Sequence, residues 1–65
     1  MENILLNNLI SKAKAGDTFS QYQAACHFQE NKDYDSAFKY CYLATFFAYA
    51  PAERKLGYFY EMGLG

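Results

Sequence analysis

The sequence predicts an all-α chain, folded as an antiparallel helix-hairpin repeat of the α-solenoid type with about four helices. Apolar residues recur at helical spacing in four segments, which short polar or glycine-containing turns separate. No stretch shows the alternation that is typical of a strand. A shift of 32 residues also lays the second segment on the fourth, with Ser20 on Ala52 and Phe28 on Tyr60. This self-similarity indicates an internal repeat.

The first predicted helix covers residues 2–15 and carries one apolar stripe. The stripe consists of Leu5, Leu6, Leu9, Ile10 and Ala13. Gly16 ends this helix, because glycine adopts the left-handed conformation that closes helices. The second predicted helix is capped by Asp17 or Thr18 and continues to about Glu30.

The third predicted helix runs from Tyr34 to about Tyr49, with Asp33 as its N-cap. A stripe of mostly small residues follows one side of it: Tyr34, Ala37, Cys41, Ala44 and Ala48. Aromatic side chains surround this stripe, so the helix is nearly apolar on all sides. We therefore expect it to pack against neighbours on several sides.

The fourth predicted helix begins at Pro51, which suits a first helical turn because that position needs no N–H donor. Ala50 ends the preceding helix, since a residue before proline disfavours the helical conformation. Gly63 and Gly65 are predicted to close the fourth helix.

These helices are predicted to form a single domain over residues 1–65. Its parts are a half-repeat helix at 1–15, a full repeat at 18–49, and a half-repeat helix with its turn at 51–65. An open apolar face remains on the last helix, consisting of Leu56, Phe59 and Tyr60. We expect further repeats or another chain to cover that face.

Composition and charge narrow the classes of partner. The formal net charge is −1 and acidic and basic residues are interspersed, so we expect no nucleic-acid partner. No apolar run approaches the roughly 18 residues of a membrane span, and no basic signal region precedes the first helix, so we expect no membrane association and a cytoplasmic location. Seven Tyr and six Phe exceed what so small a core holds, so some rings must lie at a surface, either wet or in a contact.

Two motifs carry a resemblance to a known family. The last helix places small residues, a ring and two glycines at fixed offsets: Ala52, Leu56-Gly57 after three residues, Tyr60 after two, Gly63 after two and Gly65 after one. The middle of the chain has a similar pattern: Ala24-Ala25, Phe28 after two residues, Tyr34 after five, Ala37 after two and Ala44 after six. The first pattern resembles a Sel-one-like repeat and the second resembles the related tetratricopeptide repeat. The resemblance implies that Ala25 and Gly57 allow close helix approach and that Ala37 lies at a helix crossing.

The resemblance also implies that a concave face binds a protein or peptide. Its predicted residues are Phe19, Tyr22, Gln23, Cys26 and Gln29 from the second helix, with Arg54, Lys55 and Tyr58 from the fourth. We place an aromatic pocket around Tyr22 and Tyr58, with Arg54 at its rim, because Tyr and Arg are frequent interface anchors. The alternative is that both tyrosines only pack between helices.

No catalytic, metal or cofactor site is predicted. His27 is the only histidine and follows Cys26, but neighbours in a helix point about 100° apart, which separates imidazole from thiol. A thiol enzyme or metal site would also need a third ligand or orienting group. Cys26 and Cys41 are interpreted as reduced apolar thiols, with a disulfide between adjacent helices as the alternative.

Three functional hypotheses follow from the sequence. The leading one is a non-catalytic module that binds a protein or peptide and acts as a scaffold, adaptor or inhibitor. The second is a structural unit that forms homo-oligomers through the open face of its last helix. The third is a small thiol or metal enzyme that uses Cys26 or His27.

Overall fold

The computed structural model describes residues 4–63, and this part of the chain is all-helical, as the sequence predicts. The elements are α1 Ile4–Lys14, α2 Thr18–Glu30, α3 Tyr34–Ala44, a 3₁₀ helix Thr45–Phe47, and α4 Ala50–Met62. No strand occurs between residues 4 and 63. The predicted helix start at Glu2 and the closing glycine Gly65 lie outside the described residues.

The predicted helix ends are confirmed at three turns. Gly16 has φ 101°, and Gly63 has φ 70° where it caps α4, so both adopt the left-handed backbone that glycine tolerates. Asp33 is the N-cap of α3, where its carboxylate accepts a hydrogen bond of 3.3 Å from the backbone N–H of Ser36. These local signals fix where three of the helices begin or end.

The prediction for the end of the third helix is wrong. This helix ends at Ala44, one 3₁₀ turn follows, and Ala48 adopts a left-handed conformation with φ 56°. Tyr49 is the extended N-cap of α4, and Pro51 is the second residue of that helix. Proline is harmless there, because its missing N–H would have no partner in the first turn. The chain therefore turns at Ala48, and Ala50 is the first residue of α4 instead of the last residue of the preceding helix.

Small residues form most of the core. The buried apolar side chains are Ala13, Ala24, Ala25, Ala37, Tyr40, Cys41, Ala44, Ala52 and Phe59. Alanines at these positions allow helix axes to approach closely, as the resemblance implies for Ala25 and Ala37. Each helix packs mainly on its neighbours along the chain, which gives a thin array of 34 × 25 × 13 Å.

Helices α2 and α4 have the same length, and the residues that precede them have similar backbone conformations. Each has 13 residues, and their first residues lie 32 positions apart. A left-handed residue, Gly16 or Ala48, comes two positions before each helix. The N-caps that follow, Asp17 and Tyr49, have nearly the same φ and ψ, at −74° and 109° and at −79° and 103°. The two helices therefore begin in the same way despite different turn residues.

The expected close approach at Gly57 is wrong, and the apolar stripe of α1 is largely open. Gly57 lies on an exposed part of α4, and a Cβ built there meets nothing within 4 Å, so this glycine mediates no close approach between described residues. The apolar stripe of α1 is only partly covered: Ala13 is buried, whereas Leu5 is 81% exposed. A helix stripe needs a neighbour along its whole length to be covered, and α1 packs mainly on α2 alone.

Candidate functional site

A groove lies between α1 and α2 on the described surface. It comprises three adjoining depressions of about 350, 370 and 320 Å³, all of which Leu9 and Gln23 line. We call it the α1–α2 groove. Its lining residues are Leu5, Leu6, Asn8, Leu9 and Lys12 from α1, Asp17 from the turn, and Phe19, Ser20, Tyr22, Gln23, Cys26, His27 and Glu30 from α2.

Helical spacing brings these side chains together. Leu5 and Leu9 are four residues apart and therefore lie on the same side of α1. On α2 the wall consists of residues at offsets of 0, 4, 7 and 11: Phe19, Gln23, Cys26 and Glu30. The groove thus has an apolar floor of leucine and aromatic side chains, with polar groups placed along its length.

The turn between the two helices holds the groove walls in place. The Nε2 group of buried Gln21 donates a hydrogen bond of 3.1 Å to the carbonyl of Ala13 at the end of α1. The Ser20 hydroxyl donates to the carboxylate of Asp17, the N-cap of α2. The Gln21 bond ties the end of α1 to the start of α2, and the Ser20 bond holds the N-cap residue of α2 in place.

Half of the predicted concave residues line this groove. Phe19, Tyr22, Gln23 and Cys26 all do, and Phe19 is 53% exposed. The ring of Tyr22 also contacts the ring of Tyr49 edge-on, with centroids 5.5 Å apart. Burial, and next the electrostatic interaction with the neighbouring Cys26 thiol, raise the pKa of Tyr22 above its ordinary value.

The other predicted concave residues lie elsewhere. The Lys55 ammonium donates a hydrogen bond of 2.6 Å to Oε1 of Gln29, and it lies 5.7 Å from the ring centroid of Tyr22. This contact ties α4 to α2 and engages both polar groups in packing. Tyr58 packs on Phe59 at 6.2 Å, and Arg54 is exposed. The groove that contains Tyr22 therefore does not include Tyr58 or Arg54.

The predicted open face on α4 is wrong at one residue. Phe59 is only 1% exposed and is the largest fully buried side chain, so it belongs to the core. Leu56 is half-buried against that core, and Tyr60 is 62% exposed. Residues 56 and 60 share one side of a helix, whereas residue 59 lies about 100° from residue 60. Tyr60 therefore forms the exposed part of the predicted face, Leu56 lies at its edge, and Phe59 is excluded from it.

A strip of rings also extends along α3 and the end of α4. Tyr60 contacts Phe38 edge-on at 5.6 Å, Phe38 stacks on Tyr42 at 6.3 Å, and Tyr42 contacts Phe46 edge-on at 5.1 Å. Tyr42, Phe46 and Tyr60 are exposed. The third helix is therefore covered on fewer sides than its apolar character predicts, and the surplus rings lie at a surface.

The two cysteines are free thiols with different surroundings. Cys41 is fully buried, and its thiol donates a 3.2 Å hydrogen bond to the carbonyl of Ala52. Burial raises the pKa of Cys41 to about 11, although the nearby Lys55 ammonium opposes the shift. A thiol with so high a pKa is a poor nucleophile and a poor metal ligand at neutral pH. Cys26 is half-buried at the groove wall.

Comparison with known proteins identifies no relative of this chain. No family model, curated protein or solved structure matches the chain. Within residues 4–63, no group of three or more His, Cys, Asp or Glu side chains is placed to hold a metal ion. In the same stretch, every helix is too short or too polar to cross a membrane.

Sequence reasoning did not place the α1 wall in the site. The sequence places Leu5, Leu6 and Leu9 on an apolar stripe without assigning them to a site, and in the structure they line the groove. His27 and Glu30 were likewise not assigned to a site. A usable signal was present, since the 32-residue shift lays Leu5 on Ala37 and Leu9 on Cys41, so the first helix has large aliphatic residues where the third has small ones.

Proposed function

We propose that this protein is a non-catalytic interaction module of the Sel-one-like or tetratricopeptide-like type, built from antiparallel helix hairpins. Its binding site is the α1–α2 groove, where it accepts a helical segment of a protein or peptide. The observation that carries this proposal is the continuous apolar floor shared by three depressions, flanked by polar side chains. Exposed leucines at the floor of a groove favour an apolar ligand surface.

The dimensions of the groove suit a short helix. The α2 wall from Phe19 to Glu30 extends over about 17 Å at 1.5 Å per residue, which is three helical turns. An amphipathic helix of that length presents apolar side chains at offsets of 0, 3 or 4, and 7. Leu5, Leu9 and Tyr22 provide the apolar surface that such anchors would contact.

Charged side chains give the groove two different ends. Lys12 and Asp17 lie at the end near the α1–α2 turn, and Glu30 lies at the opposite end. Charges at the edge of an interface set the orientation and the rate of association more than the affinity. A docked helix is therefore expected to bind in one direction. By binding such a helix, the protein would act as a scaffold, adaptor or inhibitor.

The chemistry of the Cys41 thiol supports a packing role for this residue. Cys41 is buried and has a raised pKa, and its proton bonds to a backbone carbonyl. Such a thiol packs as a small apolar group. Two free thiols also suit a reducing compartment, so a cytoplasmic location goes with this proposal.

A second candidate function is self-assembly through the exposed end of α4. Tyr60 and Met62 are 62% and 58% exposed, and Tyr60 begins the strip of rings along α3. Exposed aromatic and methionine side chains are enriched at the centres of protein interfaces. This surface lies on α4 and is separate from the α1–α2 groove of the same copy.

The binding proposal is tested by selecting random 14-residue helical peptides displayed on phage against the full chain. Two variants provide the comparison: Leu5→Lys, which places a charge in the groove, and Phe47→Lys, which changes another exposed apolar residue, outside the groove lining. We expect peptides with an apolar stripe whose affinity falls about tenfold with Leu5→Lys and is unchanged with Phe47→Lys. The proposal is overturned if no peptide is enriched, or if the enriched peptides bind the Leu5→Lys variant as tightly as the wild type.

A further inference from the structure

We infer that the occupant of the α1–α2 groove is helix α4 of a second copy of this chain, docked head to tail. This inference rests on the proposed binding role of the groove and names its partner. The 32-residue shift lays α1 and α2, which form the groove, on α3 and α4. In the folded chain, α2 already packs against α3 and α4.

The groove floor corresponds to a buried surface. The shift lays Leu5 on Ala37 and Leu9 on Cys41. Ala37 and Cys41 are 0% exposed, since α2 packs on α3 at one side and α4 packs at another. Leu5 and Leu9 occupy the same positions on α1, yet they line an open groove. The shift also lays the α2 wall of the groove on α4, so the groove is the repeat equivalent of the surface of α3 and α4 that α2 contacts.

The surface that would fill the groove is present on α4. The shift lays Ala25 of α2 on Gly57 and Phe28 on Tyr60. Ala25 is buried, and Phe28 stacks on Tyr40 with ring centroids 5.6 Å apart. Gly57 and Tyr60 are exposed, so the side of α4 that corresponds to the packed side of α2 is uncovered. Each end of the chain thus carries one half of the same type of junction.

Charge complementarity joins the two halves. In the interior junction, Tyr22 contacts Tyr49 at 5.5 Å. The residues equivalent to this pair are Arg54, which lies 32 positions after Tyr22, and Asp17, which lies 32 positions before Tyr49. Arg54 and Asp17 are exposed and have opposite charges. Docking α4 of one copy into the groove of the next copy would bring this guanidinium and this carboxylate together.

The Lys55–Gln29 contact inside the chain also has an equivalent polar pair across the proposed junction. The Lys55 ammonium bonds to Gln29 in the interior junction. The shift lays Gln23 on Lys55 and Gln29 on Glu61. An amide from Gln23 of one copy can donate to the carboxylate of Glu61 of the other, so a polar contact of the same direction is retained. Gln23 lines all three depressions of the groove.

Assembly of this kind is heterologous, because α4 and the groove are different surfaces of each copy. Every bound copy leaves one groove and one α4 free at the two ends of the assembly. Growth therefore continues head to tail until the chain of copies closes or the concentration becomes limiting.

The test is sedimentation velocity of the full chain over a concentration series, with charge reversals on either side of the junction. Arg54→Glu places a carboxylate against Asp17, and Asp17→Lys places an ammonium against Arg54. We expect each variant alone to associate about tenfold more weakly than the wild type. An equimolar mixture of the two variants, or the double variant, should associate as the wild type does, because every junction again joins opposite charges.

Two controls separate the junction from general effects of charge and folding. Lys39→Glu changes the net charge as Arg54→Glu does, but on an exposed part of α3, so association should not weaken. Asp17→Asn keeps a good N-cap for α2 while it removes the charge. It should weaken association with an unchanged helical circular-dichroism spectrum, even if the Asp17→Lys variant fails to fold.

The inference is overturned if the wild type sediments as a monomer at every concentration. It is also overturned if the mixture does not regain association, or if Lys39→Glu weakens association as much as Arg54→Glu does. Peptides that bind a monomeric wild-type protein and lose affinity with Leu5→Lys would then leave the binding role of the groove standing without this partner. If association follows the charge rule and no peptide is enriched, the groove accepts α4 and the broader peptide-binding role fails.

Discussion

The interior junction, where α2 packs on α3, and the α1–α2 groove use equivalent positions for different purposes. At the interior junction these positions hold Ala37 and Cys41, both fully buried. At the groove they hold Leu5 and Leu9, which are larger and partly exposed. Small residues suit a helix that is permanently attached through a short turn, whereas large aliphatic residues suit a separate partner that must be bound through apolar area. Under the proposed binding role, equivalent positions of the 32-residue shift would provide a core in one place and a binding surface in the other.

The largest expected effect is on the core side of this comparison. Phe59→Ala removes the largest fully buried side chain and should lower the free energy of unfolding by about 3 to 5 kcal/mol. That loss is comparable to the whole stability of a domain this small, so the variant should be largely unfolded by circular dichroism at 25 °C. His27→Ala, at the equivalent position in the groove, should remain folded. A folded Phe59→Ala variant would contradict the assignment of Phe59 to the core.

The buried thiol should make stability depend on alkaline pH. Because the pKa of Cys41 is raised from 9.0 to about 11 in the folded state, the folded chain holds this proton more tightly than the unfolded chain does. The contribution is therefore complete below about pH 9 and is lost as the pH rises toward 11, with a total near 2 to 3 kcal/mol. Urea unfolding at several pH values should show a steeper loss in the wild type than in Cys41→Ala. Equal pH dependence in the two proteins would contradict a buried, protonated thiol.

Over-packing should distinguish the interior junction from the groove. Ala37→Leu, which places the groove residue at the interior position, should destabilise by about 1 to 3 kcal/mol because no space is available at a fully buried helix crossing. The reciprocal change Leu5→Ala should alter the stability of the monomer by less than about 0.5 kcal/mol. Thermal unfolding at low protein concentration compares the two variants. A neutral Ala37→Leu would mean that α2 and α3 are not in close contact there.

The smallest expected effect concerns the two turns that precede α2 and α4. Ala48 has φ 56°, a conformation that an L-residue adopts at a cost, whereas the equivalent residue Gly16 adopts its positive φ freely. Ala48→Gly should therefore stabilise by about 0.5 to 1 kcal/mol, and Gly16→Ala should destabilise by about 1 kcal/mol. Both changes are measured by the midpoint of urea unfolding. A destabilised Ala48→Gly variant would show that the second turn does not hold a left-handed residue.

The elements were predictable where a local rule decided them. Gly16 and Asp33 marked helix boundaries because their turn and capping chemistry depends only on neighbouring residues. The end of α3 was not predictable from Pro51, because proline restricts the preceding residue without fixing how far upstream the chain turns. The left-handed conformation of Ala48 could not be predicted from the sequence, because alanine does not favour that conformation.

The candidate site was predicted on one wall only. Phe19 and Gln23 were assigned from their places on α2, and both line the groove. The α1 wall was missed because an apolar stripe has the same spacing whether it is covered or open. Phe59 was misplaced for a related reason: spacing separates it from Tyr60 by one helical step, but only the packing of α4 on α3 decides which of the two is buried.

The most direct test of the account is a series of ¹H–¹⁵N correlation spectra of the uniformly labelled wild-type chain at increasing concentration. Head-to-tail docking predicts that amide signals shift or broaden together at two separate surfaces, around Leu5 and Gln23 in the groove and around Gly57 and Tyr60 on α4. Signals from Phe47, outside both surfaces, should stay constant. Spectra that do not change with concentration, or changes confined to one of the two surfaces, would contradict the central claim that α4 of one copy fills the groove of another.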